Sequence, residues 1–405
     1  MSGGGPVVSM RGGDLPERAS VVVVGGGVMG TSIAFHLAEA GVEGVVLLER
    51  ETLAAGSTSK AAGGVRAQFS DPLNIAMGAR GLEAFADFAR RPGQDIDLHR
   101  VGYLFLLTTP EDVATFERDV ELQNSLGVRS RMLEQAEIAA LVPILRTDDI
   151  LAAAFHPGDG YCSPESVVLG YATGARRHGA TVLTGVELEG IETHAPEGGA
   201  AEIVAVLTSA GRIETSTVVC AAGAWSASVG AMAGVDLPVV PLRRQVLVTE
   251  PLSDQVAALV PPGMPMTIDF STTFYLHPEG PGILLGMSDP DESPGFRLDR
   301  DDAWLPRLTE AIERRAPALL DVGIAHGWAG LYEMTPDHNA LIGEAAAPGR
   351  FLYATGFSGH GFLLGPAVGE VLRDLVLRRE PFVDVSPLSV DRFSGGGARP
   401  EHAVV

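Results

Sequence analysis

Lysine is almost absent from this chain: Lys60 is the only one, and the other 28 of its 29 basic residues are arginine. Cysteine is nearly as scarce. Cys162 and Cys220 are its two cysteines, and they make no disulfide framework, metal cluster or CxxC pair, so a reducing cytoplasm is the expected setting and no metal is expected. No apolar run reaches the ~20 residues of a membrane span. Positive charge is outnumbered, 29 basic residues against 51 acidic for a net charge of −22, which argues against nucleic acid and anionic membranes as partners. Residues 1–18 have no apolar signal core and read as a flexible tail.

Glycine, by contrast, is plentiful: 50 of 405 residues, about 12% against a usual ~7%. A chain of this length exceeds the size at which one core keeps growing, so two subdomains are expected. Following the glycines leads first to "SVVVVGGGVMGTSIAFHLAEAGVEGVVLLER", where Gly25, Gly27 and Gly30 have GxGxxG spacing. The run Val21 to Val24 reads as a buried strand, Thr31 to Ala40 as a helix, and Val45 to Leu48 as a second strand. That βαβ unit is built to set a pyrophosphate on the helix start, with Glu49 placed to accept hydrogen bonds from an adenosine ribose. Both nicotinamide and flavin dinucleotides use this device.

Later segments separate those possibilities. A helix at 167–177, a strand at 181–186 and "STVVCAAGAWSASVG" read as more nucleotide-domain material. Residues 236–323 turn strand-rich, with "LRRQVLVTEP", "TFYLHPEG" and "GILLGMSDPDE" as neighbours in one sheet and a polar helix near 301–315. Near the end, "ATGFSGHGF" carries Gly356, Gly359 and Gly361 into a long helix, a second place where a helix start can stabilise an anion.

Taken together, "VVVVGGGVMG", "LLER", "GSTSKAAGGVR", "AAGAWS", "GLYEMTPD" and "ATGFSGHGF", in this order from about Ser20 to Leu377, make the chain resemble the D-amino-acid oxidase and sarcosine oxidase superfamily of FAD-dependent amine oxidoreductases. It looks most like the branch of sarcosine oxidase and dye-linked proline dehydrogenase β subunits and their monomeric relatives. The resemblance implies an α/β fold: a discontinuous glutathione-reductase-like FAD domain (19–92, 150–235 and 324–390) and an α+β substrate domain on an antiparallel sheet (93–149 and 236–323), with residues 391–405 as a second flexible tail. It also implies hydride transfer from the carbon beside an amine nitrogen to flavin N5, leaving an imine that hydrolyses. Electrons would pass to oxygen or a carrier. A 2-hydroxy-acid dehydrogenase on the same fold, or a flavin-carrying subunit that needs partner chains, are the alternatives; the chain itself would be a monomer or homo-oligomer.

Residue by residue, the resemblance assigns to the cofactor Gly25, Gly27, Val28, Met29 and Gly30, then Glu49 and Arg50, then Gly56, Ser57, Ser59, Lys60, Ala61, Gly63 and Gly64. Val186, Ala222, Gly223, Trp225, Gly330, Gly356, Gly359, His360, Gly361 and Phe362 complete that set. Candidate catalytic residues are Lys60, Arg66, Tyr275, His277, Tyr332 and His360. Arg66 could grip a substrate carboxylate or pair with Glu333, and Arg243 and Arg244 are rivals for the carboxylate. Relatives tether their flavin through a cysteine or a histidine, where this chain has Gly330 and Lys60, so FAD is expected to be non-covalent. Two lysines of relatives fall at Leu284 and Leu363, leaving Lys60 as the one lysine that could act at a flavin.

Overall fold

A computed structural model describes residues 15–197, 199 and 201–403. Two large sheets organise them. The first has six strands in the order Leu341–Glu344, Phe351–Thr355, Val218–Cys220, Val21–Val24, Val45–Glu49, Thr181–Thr184, parallel except for the first pair. Its valine run is explained by burial on both faces. Val21 and Val23 face the core under the helices Val28–Glu39, Pro164–Arg177 and Gly361–Val376, whereas Val22 and Val24 face a core capped by a three-stranded sheet.

The second sheet has eight strands in the order Ile324–Met334, Val240–Thr249, Gly282–Gly286, Phe274–Glu279, Met266–Asp269, Tyr103–Leu107, Ala152–His156, Arg131–Leu133. It is antiparallel but for Met266–Asp269 against Tyr103–Leu107. The three segments expected as neighbours do lie side by side. Alternation gives the sheet two different faces. Leu104, Leu247, Phe274, Leu276, Ile283 and Leu285 pack beneath the amphipathic helix Leu305–Arg315. On the other face the register aligns Tyr332 and Gly330 with Leu242 and Arg244, then Val246 with Gly286, Tyr275, Ile268 and Phe105 in turn. That face turns toward the first sheet.

Several boundaries differ from those read in the sequence. Strands Ala152–His156 and Ile324–Met334 belong to the eight-stranded sheet, so the expected limits at 150 and 324 cut across it. Of the N-terminal tail, residues 1–14 lie outside the described residues, while Leu15 packs on a core and Arg18 pairs with Glu214 at 3.1 Å. The expected C-terminal tail is not free either. Arg392 forms a buried pair with Asp337 at 2.8 Å, Arg399 reaches Asp71 at 2.7 Å, and Glu401 is only 2% exposed. Its carboxylate accepts hydrogen bonds from Ser70 N, Ser70 Oγ, Asp71 N, Asn74 Nδ2 and Ala403 N, at 2.6–3.2 Å. Residues 391–405 read as a flexible tail, but Arg399 and Glu401 find partners more than 300 residues away at 70–74. Residues 404–405 lie outside the description.

Candidate active site

The two sheets enclose a cavity of about 460 Å³, within the range of small-molecule sites. At one end lies the glycine-rich turn. Gly25 has φ +112°, and a Cβ on Gly30 would stand 1.8 Å from the Gly25 carbonyl oxygen, so the turn closes tightly and the helix packs hard against it. Gly27 faces the cavity, as do Val28 and Met29. A helix start leaves its first N–H groups without partners inside the helix. Thr58 Oγ1 takes Val28 N at 3.1 Å, and Glu49 Oε2 takes Gly26 N at 2.7 Å.

Glu49, Arg50, Gly56, Ser57, Lys60, Ala61, Gly63, Gly64, Val186, Ala222, Gly223, Trp225 and Gly330 all line this cavity, and so do Gly359, His360, Gly361 and Phe362 at the second helix start. Trp225 lies between Arg50, whose guanidinium is 4.2 Å from its ring centre, and Phe296, stacked at 5.5 Å. Three expected cofactor residues do not line it. Gly30 serves packing; Ser59 N donates to Ala54 O at 3.1 Å; Gly356, at φ +72°, turns the chain and donates its N–H to Glu333 at 2.9 Å. The spacing that marks a nucleotide turn includes glycines needed only for backbone reasons, and spacing cannot tell the two kinds apart.

Among the catalytic candidates, Lys60, Arg66, Tyr275, Tyr332 and His360 line the cavity and His277 does not. Instead His277 is buried, with Nδ1 2.8 Å from Pro278 O and Nε2 3.1 Å from Ala62 O, and it stacks on Tyr161. Burial lowers its pKa to about 4. It shares a sheet face with Tyr275 but sits farther along, under the 61–63 loop, which covers it. Arg243 is corrected too. Its side chain is tied to Glu292 at 2.6 Å and Asp301 at 2.5 Å, whereas its neighbour Arg244 faces the cavity over the Tyr332 ring. Strand alternation sends the adjacent pair to opposite faces.

Arg66 does not pair with Glu333. Its guanidinium donates to the carbonyls of Gln68 and Ala403 and lies 4.0 Å from the Phe69 ring centre. Burial pulls its pKa down. Glu333 accepts from Thr355 Oγ1 at 2.8 Å and from Gly356 N, and burial raises its pKa. Lys60 lies against Gly330: a Cβ on Gly330 would come within 2.5 Å of Lys60 Cβ, and Trp328 Nε1 holds the Lys60 carbonyl at 3.0 Å. His360 is 3% exposed and its pKa falls to about 3, chiefly through burial. Tyr103, Met266 and Ile268 are cavity residues that sequence reading missed; only strand register brings them in.

Four buried polar atoms on cavity residues have no hydrogen-bond partner among the described residues: Ser57 Oγ, Arg244 Nε and both ring nitrogens of His360. Buried polar groups in native proteins are nearly always satisfied, so the cavity is shaped for a polar ligand. A nucleotide turn at one end and a Tyr- and Arg-bearing sheet face at the other define a dinucleotide-dependent oxidoreductase. The family model for FAD dependent oxidoreductases, DAO, matches residues 20–375, and the chain belongs to that family. Rat (Rattus norvegicus) dimethylglycine dehydrogenase is 31% identical over 394 residues, covering 93% of this chain and 45% of that protein. The chain therefore spans less than half the length of that relative. L-proline dehydrogenase from P. horikoshii superposes with a TM-score of 0.87 at 33% identity, covering 95% of this chain and 100% of that one. Glycine oxidase from Geobacillus kaustophilus gives 0.80 at 25% identity, covering 93% and 99%. FAD is the cofactor of this family, and the glycine cradle and unsatisfied polar atoms fit it.

Proposed function

We propose that the chain oxidises the C–N bond of an amino acid or a secondary or N-methyl amine, with FAD bound non-covalently. The carrying observation is that one cavity joins the turn at Gly25 to Met29 with the sheet face that bears Arg244, Tyr275 and Tyr332. When bound, FAD would supply the acceptor for a hydride, two electrons and a proton, from the carbon beside nitrogen, and water would split the imine left behind into a carbonyl compound and an amine.

The chain's own residues bind and orient. Gly25 to Met29 cradle the pyrophosphate, and Glu49 accepts from the ribose. Gly330 offers no side chain and Lys60 no imidazole, which supports a non-covalent flavin. Arg244 holds a substrate carboxylate through Nε and Nη, the group left unpartnered at Nε. Tyr275 and Tyr332 wall the substrate, and burial keeps both hydroxyls protonated. His360 stays neutral and supplies a ring nitrogen to flavin or substrate rather than a charge. Lys60 gives the positive field that favours reduced flavin, and electrons leave to oxygen or a carrier. The two free, buried thiols favour a reducing compartment such as the cytoplasm.

The test is anaerobic bleaching of the flavin band with secondary amines and amino acids against 2-hydroxy acids. Bleaching by amines alone is expected. Bleaching by hydroxy acids alone would move the reading to C–O oxidation, and bleaching by neither in the isolated chain would favour a subunit that needs partners.

A further inference from the structure

Four arginines are buried in the described fold: Arg66, Arg243, Arg315 and Arg392. Three of them answer their charge with carboxylates within 3 Å, Arg243 with Glu292, Arg315 with Asp149 and Asp269, and Arg392 with Asp337. Arg66 touches only carbonyl oxygens and aromatic rings among the described residues, and Glu401 and Asp159 act on it from beyond ion-pair distance. A buried guanidinium with no carboxylate in contact is expensive for a fold to keep. Arg244, half-buried, is in the same condition, with one Nη on the Arg243 carbonyl at 3.1 Å and Nε without a partner. Both open on the same cavity.

They stand at different places along it. Arg244 rises from the strand Val240–Thr249, while Arg66 packs against Phe105 on Tyr103–Leu107, four strand steps along the sheet. At ~4.8 Å per strand that is about 19 Å along the sheet, more than one carboxylate spans unless both side chains lean inward. Tyr332, on the edge strand beside Arg244, has its hydroxyl in the field of both guanidiniums, Arg244 the stronger. The dinucleotide's phosphates belong at the opposite end, against the Gly25 to Met29 turn.

We propose that the substrate is a dianion, an N-substituted amino dicarboxylate, with one carboxylate on Arg244 and the second on Arg66. This deepens, and rests on, the assignment of the cavity to amine oxidation. Two cations set apart along the cavity hold the two ends of the molecule, which leaves the amine-bearing carbon between them facing the flavin. A monocarboxylate leaves one guanidinium unanswered and binds more weakly.

The experiment is a titration of the FAD-loaded protein, read as perturbation of the flavin absorbance, with glutarate and with butyrate, which share a three-carbon chain on one carboxylate and differ in whether that chain ends in a second. Anaerobic reduction by N-methylglutamate and by N-methylglycine runs beside it. Glutarate is expected to bind at least about tenfold more tightly than butyrate, the effect of one charge-assisted contact. Arg66→Met and Arg244→Met should each bring glutarate to the level of butyrate, and Arg66→Lys should retain part of the preference. If Arg66→Met fails to take up FAD, the wild-type ratio and Arg244→Met still decide. Equal affinities for the two acids overturn the proposal even when amines reduce the flavin. So does equal loss of butyrate binding in both arginine variants, since the two would then share one carboxylate. Tight glutarate binding with no reduction by any amine keeps the dianion site and sinks amine oxidation instead.

Discussion

Glu401→Gln removes one negative charge from a carboxylate that the fold surrounds with donors, and its effect follows from those contacts. The two side-chain bonds, from Ser70 Oγ at 2.6 Å and Asn74 Nδ2 at 2.9 Å, are charge-assisted and buried or nearly so. At about 1.5 kcal/mol each, the low end for bonds to a charged group, they predict a loss of about 3 kcal/mol at pH 7. The three backbone donors push the value up, and incomplete additivity pulls it back. Burial alone would raise the pKa of Glu401, but the Ser70 and Asn74 bonds outweigh it and hold it below the ordinary value. A folded-state pKa below the unfolded one gives stability that is complete above about pH 4.3–4.5 and is lost as pH falls through the folded value. Wild type loses that contribution in acid and the glutamine variant has none to lose. Urea unfolding followed at pH 7, 5 and 4 should therefore show a gap of about 3 kcal/mol that holds to pH 5 and narrows below it. A gap within about 0.5 kcal/mol at pH 7, the size of an ordinary surface change, would refute the docked C-terminal segment, and a gap that widens in acid would refute the sign of the linkage.

Three further outcomes follow from the same reasoning. Asp269→Asn removes the buried one of Arg315's two carboxylate partners and leaves Asp149 at 2.8 Å, so it should lower stability by about 1.5–3 kcal/mol in chemical denaturation, the size of one hydrogen bond to a charged group; a change under about 0.5 kcal/mol would contradict the burial. His36 and His277 are neutral in the fold, chiefly because burial lowers them to about 3 and about 4, while unfolded histidine titrates near 6.5. Stability should then fall with acid below pH ~6.5, by up to about 1.4 kcal/mol per pH unit for each, and His36→Gln should flatten that slope as measured by unfolding across pH 7 to 5. Acid precipitation should release all the flavin into the supernatant, and Lys60→Met should alter the rate of flavin reduction or reoxidation in stopped flow; flavin left in the pellet, or unchanged rates of both, would count against the roles given to Gly330 and Lys60.

Much of this protein is legible along the chain. "VVVVGGGVMG" specifies strand, turn and helix because a four-residue apolar run, a glycine turn and helical periodicity are local properties, and the observed elements Val21–Val24, Val28–Glu39 and Val45–Glu49 follow them closely. The motif order specifies the family and its flavin for the same reason, since each motif is a short segment with its own backbone demand. Sidedness is another matter. "RR" at 243–244 is symmetrical as text, and only pairing with Ile324–Met334 and Gly282–Gly286 decides that Arg244 faces the cavity and Arg243 the acids at 292 and 301. His277 alternates correctly with Tyr275 yet is covered by Ala62, whose loop arrives from more than 200 residues away. Glycine- and arginine-rich residues 391–403 read as solvent-loving until Ser70, Asp71, Asn74 and Asp337 meet them. The solitary Lys60 likewise gained its setting from Gly330, a partner 270 positions on that leaves room for it by having no side chain. Local chemistry chooses the elements; which of their two faces meets a ligand depends on contacts between segments that are distant in sequence, and only the folded chain makes them.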